Sequence, residues 1–491
     1  TKSCLESEMN DITRKVIDNL TRINAIPRCS KKEEKIARWF VDWAAKRRYP
    51  TRRDEAGNLC IKVPATAGHE AAPTVILQGH MDMVCEKTPD SRHDFDSDPI
   101  RLVRNGDWIS ADRTTLGADN GIALALALTL AEEPAVVHPP LELLFTVDEE
   151  SGLLGAKNFD PGLVDGRILL NIDSEEEGVF TIGCAGGQET RIRLSLQRTA
   201  APLDHHYLDL TISGLRGGHS GIDIHKPRAS ANVKIARVLQ AISHVTPIGI
   251  VSLKGGTVHN AIARDAAARI SCAPQQLERV QRVVAECRKT FANEYGAGEP
   301  QLDIRLNEAA TQTAGDGALT AAATHKAIAL LLALPHGVTR MSADIEGLVE
   351  TSNNLATVAL LGTYLEILSS QRSAVMTRLA EITARIHAVA DLAGAAATDE
   401  NSYPAWEPSL DSLLLQRCKA VYRDRFERDP VVQTIHAGLE CGLIGARKPG
   451  MDMISFGPTI ENPHSPDEKL FVPSVVRIWD FIVHLFASYT S

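Results

Sequence analysis

Residues 74–82 read Thr-Val-Ile-Leu-Gln-Gly-His-Met-Asp. Val75, Ile76 and Leu77 form a short apolar run bracketed by Pro73 and Gly79. That is the pattern of a strand buried on both faces, as in a parallel sheet. Functional groups gather beyond the carboxyl ends of such strands. His80 and Asp82 stand there, and residues two apart in an extended chain point the same way. One imidazole and one carboxylate therefore leave the sheet together. Taken alone, this is equally the description of an ordinary strand-end His with a capping Asp.

The same grammar recurs on either side. Leu141–Val147 reads as a strand that runs into Asp148-Glu149-Glu150-Ser151-Gly152, and Arg167–Ile172 as one that runs into Asp173-Ser174-Glu175. Between them, Gly117-Ala118-Asp119-Asn120-Gly121 opens an Ala- and Leu-rich segment of strong helix propensity, which places Asp119 at a helix start. Further upstream, Ser7–Leu20 has helical periodicity, and Ser30-Lys31-Lys32-Glu33 reads as a capping box ahead of another helix. Strands around Thr51–Arg53 and Leu59–Val63 flank a Gly57-Asn58 turn. Strands alternating with helices predict an α/β fold: a mixed, mostly parallel sheet flanked by helices.

The character changes near Gly183. Strands around Tyr207–Ile212, Gly249–Leu253 and Ala266–Cys272 alternate with helices around Arg228–Ile242 and Gln276–Tyr295, and a second alternation runs from Gln301 to Leu368. This predicts an inserted α+β lid domain with a possible internal duplication, left through the Ala- and Gly-rich run at Asp391–Thr398. The expected division is residues 1–187 for the first part of the catalytic domain, 188–395 for the lid and 396–491 for the second part. The second part includes a strand at Val431–His436 and a closing helix around Ser474–Ser488.

A chain of 491 residues is too long for one core. Its hydrophobic content of 44% and charged content of 23% are those of a globular protein in water. The net charge of −10 argues against nucleic acid or an anionic membrane as partner and suits a site that holds cations. The longest apolar stretch, Ala327–Pro335, is too short to span a bilayer. The nine cysteines are scattered, without a C-x-x-C pair, as expected of reduced thiols. The segment Thr1–Lys15 lacks the apolar core of a signal peptide, so the expected location is the cytoplasm.

His80, Asp82, Asp119, Glu149, Glu150, Asp173 and His464 all fall on predicted loops, most of them after strands. Each has a plain structural reading: Asp119 a helix cap, Glu149-Glu150 a solvated loop, Asp173 a turn, His464 an exposed loop residue. Together they gather five carboxylates and two imidazoles at one sheet edge, and burying unpaired charges costs several kcal/mol each. A pair of divalent cations removes that cost. His and carboxylate ligands without thiolate suit Zn²⁺, with Co²⁺ or Mn²⁺ as substitutes. A two-metal site needs a bridging carboxylate, and the set leaves Glu149 over for proton transfer and Asp82 over to orient His80.

These segments resemble the co-catalytic zinc exopeptidases of the carboxypeptidase-G type, and more narrowly the bacterial aminoacyl-histidine dipeptidase (peptidase D) subfamily. The matching text includes L-Q-G-H-M-D-M-V, T-T-L-G-A-D-N-G-I, D-E-E-S-G, N-I-D-S-E-E-E-G, G-C-A-G-G, G-G-H-S-G, G-G-T-V-H-N-A-I, H-A-G-L-E-C-G and G-P-T-I-E-N-P-H-S-P-D-E. It spans the chain from about Ile12 onward. The resemblance implies two Zn²⁺ per chain: His80 and Asp173 on one, Glu150 and His464 on the other, Asp119 bridging. It implies Glu149 as general base and then acid, Asp82 as the carboxylate orienting His80, and a cis peptide at Asp119–Asn120. In the lid it implies His219 on the substrate carbonyl oxygen and Asn260 as a second polar contact, while Arg372 is the candidate clamp for the substrate carboxylate. The related pattern carries Pro where this chain has Ala263.

The implied activity is hydrolysis of unblocked dipeptides, including Xaa-His and carnosine-like substrates, by metal-hydroxide attack. The rival enzyme reading is an N-acyl amino acid deacylase using the same zinc pair. The rival from another class is a non-catalytic metal-dependent binding module, which predicts a damaged site. A homodimer is expected, with no nucleic-acid or membrane partner.

Overall fold

The computed structural model describes residues 2–200, 204–309, 317–343 and 345–490. Positions 310–316, inside the second predicted alternation, lie outside the described residues. The chain divides into two compact units. One comprises residues 1–184, 406–434 and 439–491; the other comprises 185–405 and 435–438.

The first unit is built on an eight-stranded mixed sheet. Its order is Thr51–Arg53, Leu59–Val63, Leu141–Thr146, Val75–His80, Ile168–Asn171, Asp452–Ser455, Val179–Cys184 and Val431–Ile435. The four central strands, from Leu141–Thr146 to Asp452–Ser455, run parallel, and Val75–His80 lies among them with every residue buried. Its apolar run is thus the interior strand that a two-faced burial pattern predicts. The helix Ala118–Glu132 is buried from Ala118 to Leu130 and packs on this strand and on the helix Lys2–Asn24. A helix apolar all round must be covered on all sides, and Val16, Leu20 and Ile23 supply one cover. Burying each such side chain stabilises the unit by roughly 1.5–3 kcal/mol.

Gly79 shows how closely helix and strand approach. A Cβ there would stand 2.3 Å from Asn120 Oδ1 and 2.8 Å from the Ala123 methyl. The Asn120 side chain uses that space: its Oδ1 accepts the His80 amide at 3.3 Å and its Nδ2 donates to the Ile172 carbonyl at 2.7 Å. Two neighbouring strand ends are thereby tied to one helix start.

Two expectations about this unit are corrected. Ser30 does not cap the following helix, which begins at Glu34. Its hydroxyl donates instead to Asp82 at 2.7 Å, and Glu33 accepts the Lys31 and Asp148 amides. Nor are all the cysteines free: Cys29 and Cys85 form a disulfide across a sequence separation of 56. The parallel bridge between Cys29 and Met83 brings the two segments together, a tertiary proximity that cysteine spacing cannot reveal.

The second unit carries a nine-stranded antiparallel sheet. Its topology repeats. His206–Ser213, Gly249–Gly255, Ala266–Cys272 and Asp303–Glu308, with helices Ala231–Val245 and Leu277–Tyr295, form a β-α-β-β-α-β motif of sheet order 4-1-3-2. Gly186–Ser195, Val349–Leu361, Tyr364–Ser373 and Ala396–Tyr403, with helices Ala321–Ala333 and Met376–Ala393, form the same motif in order 2-3-1-4. The two join edge to edge through Gly249–Gly255 and Val349–Leu361. The unit begins at residue 185 and continues through 405, past the expected exit. Gly394 ends a helix there with φ 65°, and Ala396–Tyr403 then pairs with Gly186–Ser195. The Ala- and Gly-rich run is a helix end and a strand start, not a linker.

His336 links this core to pH. Its Nδ1 accepts the Leu355 amide at 3.2 Å, and burial together with the Lys234 charge pushes its pKa down to about 4. In the unfolded chain a histidine titrates near 6.5. Between these values the unfolded state takes up a proton that the folded state does not, so stability falls as pH drops from about 6.5 towards 4, by at most ~1.4 kcal/mol per pH unit for this group. His336→Gln is expected to flatten that part of the slope. Urea unfolding midpoints at several pH values in this range check it; an unchanged slope contradicts the assignment.

Candidate active site

Seven of the ten predicted site residues lie in the first unit, five of them at or just past the ends of its central strands. Asp82 follows the Val75–His80 strand, Glu149 and Glu150 follow Leu141–Thr146, and Asp173 follows Ile168–Asn171. Asp119 stands in the first turn of the Ala118–Glu132 helix with non-helical dihedrals, and its peptide bond to Asn120 is cis. His464 sits on the loop between Ile460–Glu461 and Lys469–Phe471.

Their side chains converge on Asp119. His80 Nε2 is 3.1 Å from Asp119 Oδ1 and 3.5 Å from Asp173 Oδ1. His464 Nε2 is 3.0 Å from Asp119 Oδ2 and 3.0 Å from Glu150 Oε2. Each oxygen of the Asp119 carboxylate thus faces a different imidazole, and each imidazole has a further carboxylate of its own. His80, Asp119 and Asp173 form one group whose ligand atoms lie within 4.8 Å of one another, and Asp119, Glu150 and His464 form another. Glu149 joins His80 and Glu150 in a third such group.

Asp82 is the organiser beneath this cluster. It is fully buried, accepts the Glu149 and Glu150 amides at 3.0 and 3.2 Å, and accepts the Ser30 hydroxyl. His80 Nδ1 lies 3.2 Å from its Oδ1 and 3.1 Å from its carbonyl. Both are acceptors, so Nδ1 carries the proton. Burial pushes the Asp82 pKa up, but the His80, Ser30 and Glu149 contacts outweigh it and leave it at about 2.

The tautomer carries the fit test for a metal. With its proton on Nδ1, a neutral His80 presents the lone pair of Nε2 to two carboxylate oxygens. Only a cation or an additional proton reconciles that contact. Glu150 Oε1 and Asp173 Oδ1 are moreover buried without a hydrogen-bond partner among the described residues. The donor set, two imidazoles and three carboxylates with two oxygens unspent, fits a pair of borderline divalent ions.

The titration pattern reports the same excess of negative charge. Burial lowers the His80 pKa, but Asp173, Asp119 and Asp82 reverse this and lift it well above the usual value. The hydrogen bonds to Asp119 and Glu150 raise His464 to about 11. Burial, aided by Asp119 and Glu150 against the pull of His80, pushes Asp173 up to about 6. Burial also drives Glu149 well above the carboxylate range, with Asp173 and Glu440 adding to it and His80 opposing. A carboxyl group whose pKa is raised by burial is suited to proton transfer.

The sequence reading missed the scaffold of the cluster. The carboxylate of Glu468 accepts four successive backbone amides, Leu116, Gly117, Ala118 and Asp119, at 2.7–3.1 Å. Arg28, buried, donates to the Met81, Asp82 and Gly117 carbonyls and to Asn24 Oδ1. Burial lowers its pKa to about 10 against the opposing charges of Glu468 and Asp82, so it stays protonated. Glu440 accepts from Gln78 Nε2 and from the Thr146 hydroxyl beneath the strand ends. Glu468 stands in the quoted G-P-T-I-E-N-P-H-S-P-D-E segment and Glu440 in H-A-G-L-E-C-G, so motif membership was the available signal.

The other three predicted residues belong to the second unit. His219 lies in the short pairing of Gly218–His219 with Ala261–Ile262, and Asn260 immediately precedes it, its carbonyl accepting the Ser220 amide. His219 Nδ1 accepts the Gly221 and Ile222 amides, which leaves Nε2 as the N–H donor. Burial first, then the Arg372 charge, push the His219 pKa down to about 4. Arg372 is buried in the Tyr364–Ser373 strand and donates to the Tyr403 hydroxyl at 2.6 Å.

Glu468 yields a direct prediction. Glu468→Ala leaves four buried amides unsatisfied beside Asp119 and is expected to lower stability by about 3 kcal/mol and to weaken metal binding. Urea unfolding and a metal titration measure both; parental values for both would contradict the anchoring role.

Residues 76–488 match the profile of "Peptidase family M20/M25/M40". The chain is 38% identical over 480 residues to the cytosol non-specific dipeptidase of Escherichia coli (strain K12), covering 98% of each chain. It superposes on the crystal structure of aminoacylhistidine dipeptidase from Vibrio alginolyticus with a TM-score of 0.88 at 38% identity, covering 96% of each chain. Aminopeptidase PepT from Bacillus cereus shares the fold at a TM-score of 0.57 and 15% identity, covering 98% of this chain and 99% of its own.

Proposed function

Because the chain belongs to peptidase family M20/M25/M40, we propose that it is a dipeptidase working with two zinc ions, for which cobalt or manganese substitutes. His80 and Asp173 would hold one ion, Glu150 and His464 the other, and Asp119 would be shared. The observation that carries this reading is the Asp119 carboxylate with one imidazole on each oxygen. When bound, such a metal pair polarises the scissile carbonyl and makes water nucleophilic near neutral pH.

The remaining work falls to side chains. Glu149 takes the proton of the attacking water and returns it to the leaving nitrogen, a role its raised pKa supports. Asp82 keeps the proton of His80 on Nδ1, so that Nε2 remains a ligand. In the second unit, His219 has an Nε2–H to donate to a carbonyl oxygen, and Asn260 offers a further polar contact. Arg372 supplies a guanidinium that matches a carboxylate.

The substrates are unblocked dipeptides, with Xaa-His and carnosine-like peptides among them. The names of the Escherichia coli and Vibrio alginolyticus relatives support this class. The enzyme is proposed to act in the cytoplasm as a homodimer. Among the described residues no helix is long and apolar enough to cross a membrane.

Purified protein with about two zinc ions per chain is expected to release histidine from β-alanyl-histidine, and a chelator is expected to stop it. The same metal content with cleavage only of N-acetyl amino acids would point to a deacylase instead. Glu149→Ala is expected to lower kcat at least ~10³-fold while metal content stays near the parental value. Wild-type kcat in that variant would sink the general-base assignment.

A further inference from the structure

The disulfide between Cys29 and Cys85 has no part in the chemistry described so far, yet it lies against the scaffold of the candidate metal site. Both of its cysteines are half-buried, whereas the free thiols of Cys60, Cys184, Cys272, Cys418 and Cys441 are buried. The cross-link is thus closer to solvent than they are. Cys29 stands between two residues that hold the site. Arg28 Nη1 donates to the Met81 and Asp82 carbonyls at 3.1 and 2.8 Å, and Ser30 Oγ donates to Asp82 Oδ2 at 2.7 Å. Cys85 stands three residues after Asp82. On either side of it, the Val84 carbonyl accepts the Thr115 hydroxyl at 2.7 Å and the Glu86 carbonyl accepts the Thr115 amide at 2.9 Å. Thr115 leads directly into the Leu116–Asp119 turn whose amides Glu468 holds. One S–S bond therefore fastens the residues that hold Asp82 to the segment that braces the turn of Asp119.

A cross-link restricts the alternatives open to the segments it joins. Without it, hydrogen bonds alone keep Arg28, Ser30 and residues 83–86 in register. In a reducing compartment, such as the proposed cytoplasm, disulfides are as a rule transient or redox-sensing. We propose that Cys29–Cys85 is a redox modification site for a dithiol reductant, and that its reduction weakens zinc binding at the Asp119 cluster. A thiolate of the dithiol attacks one sulfur, the S–S bond breaks and a mixed disulfide forms. The second thiolate of the reductant then displaces the protein sulfur. Two electrons and two protons end on Cys29 and Cys85, and the dithiol becomes its own disulfide. The coupling is reciprocal, so bound zinc makes the protein disulfide harder to reduce by the same factor.

This inference rests on the two-zinc reading. The full chain, oxidised and reduced, is titrated with zinc against a competing chelator, while alkylation and peptide mapping report the state of Cys29 and Cys85. The reduced form is expected to bind zinc about tenfold more weakly overall, the low end of what losing the partners behind metal ligands costs. The midpoint potential of the disulfide is expected to lie about 30 mV lower at saturating free zinc than without zinc, which is that tenfold factor for a two-electron couple. The double variant Cys29→Ser with Cys85→Ser is expected to bind zinc as the reduced parent does and to ignore the reductant. Cys287→Ser, which alters a half-buried free thiol, is expected to respond as the parent does. Should the double variant fail to fold, the oxidised and reduced parent carry the test. A disulfide that is only a staple would shift the urea midpoint and leave both zinc readouts unmoved, which overturns the proposal. Cys29 and Cys85 persisting as thiols in an oxidising buffer overturns it as well. A parent that binds no zinc in either form would instead remove the two-zinc reading beneath it.

Discussion

The carboxylate of Asp119, held between two imidazoles, is the contact on which the first unit depends. Five carboxylates and two histidines in one place cannot all be satisfied by one another. The protein deals with part of that charge through protons, which is why His80 and His464 are pushed strongly basic and Asp173 and Glu149 are pushed up. It leaves Glu150 Oε1 and Asp173 Oδ1 without a hydrogen-bond partner among the described residues. A cluster that remains unbalanced inside a well-packed unit is one built for cations, since removing one member of a buried charge network costs several kcal/mol.

Holding such a cluster requires rigid backbone, and here the backbone is held by two buried charges of opposite sign. Arg28 gathers the carbonyls of Met81, Asp82 and Gly117, and Glu468 gathers the amides from Leu116 to Asp119. Both act on the turn that carries Asp119, one through its acceptors and one through its donors. Asp82 ties the loop after the neighbouring strand into the same frame through the Glu149 and Glu150 amides. The Cys29–Cys85 disulfide fastens the segment bearing Arg28 and Ser30 to the segment that follows Asp82. The geometry of the cluster is thus set by contacts to main chain, which sequence periodicity does not reveal.

Much of this arrangement was legible in the sequence for identifiable reasons. Val75–Leu77 and Leu143–Phe145 are apolar because their strands are buried on both faces, and their ends carry the His and acidic residues of the candidate site. The proposed ligands sit next to strong local signals, so their positions could be read from the strands. Ser30 was misread because a capping box and a hydroxyl bound to Asp82 look alike in sequence. The disulfide was invisible because it joins segments far apart in the chain. The exit from the second unit was misplaced because Gly394 ends a helix in the way a linker would begin.

The measurement that bears most directly on the central claim is a crystal structure of the zinc-loaded protein with anomalous scattering recorded at the zinc edge. Two peaks are predicted, one beside His80 and Asp173 and one beside Glu150 and His464, with an oxygen of Asp119 on each. A single peak, or ions bound away from Asp119, would contradict the account.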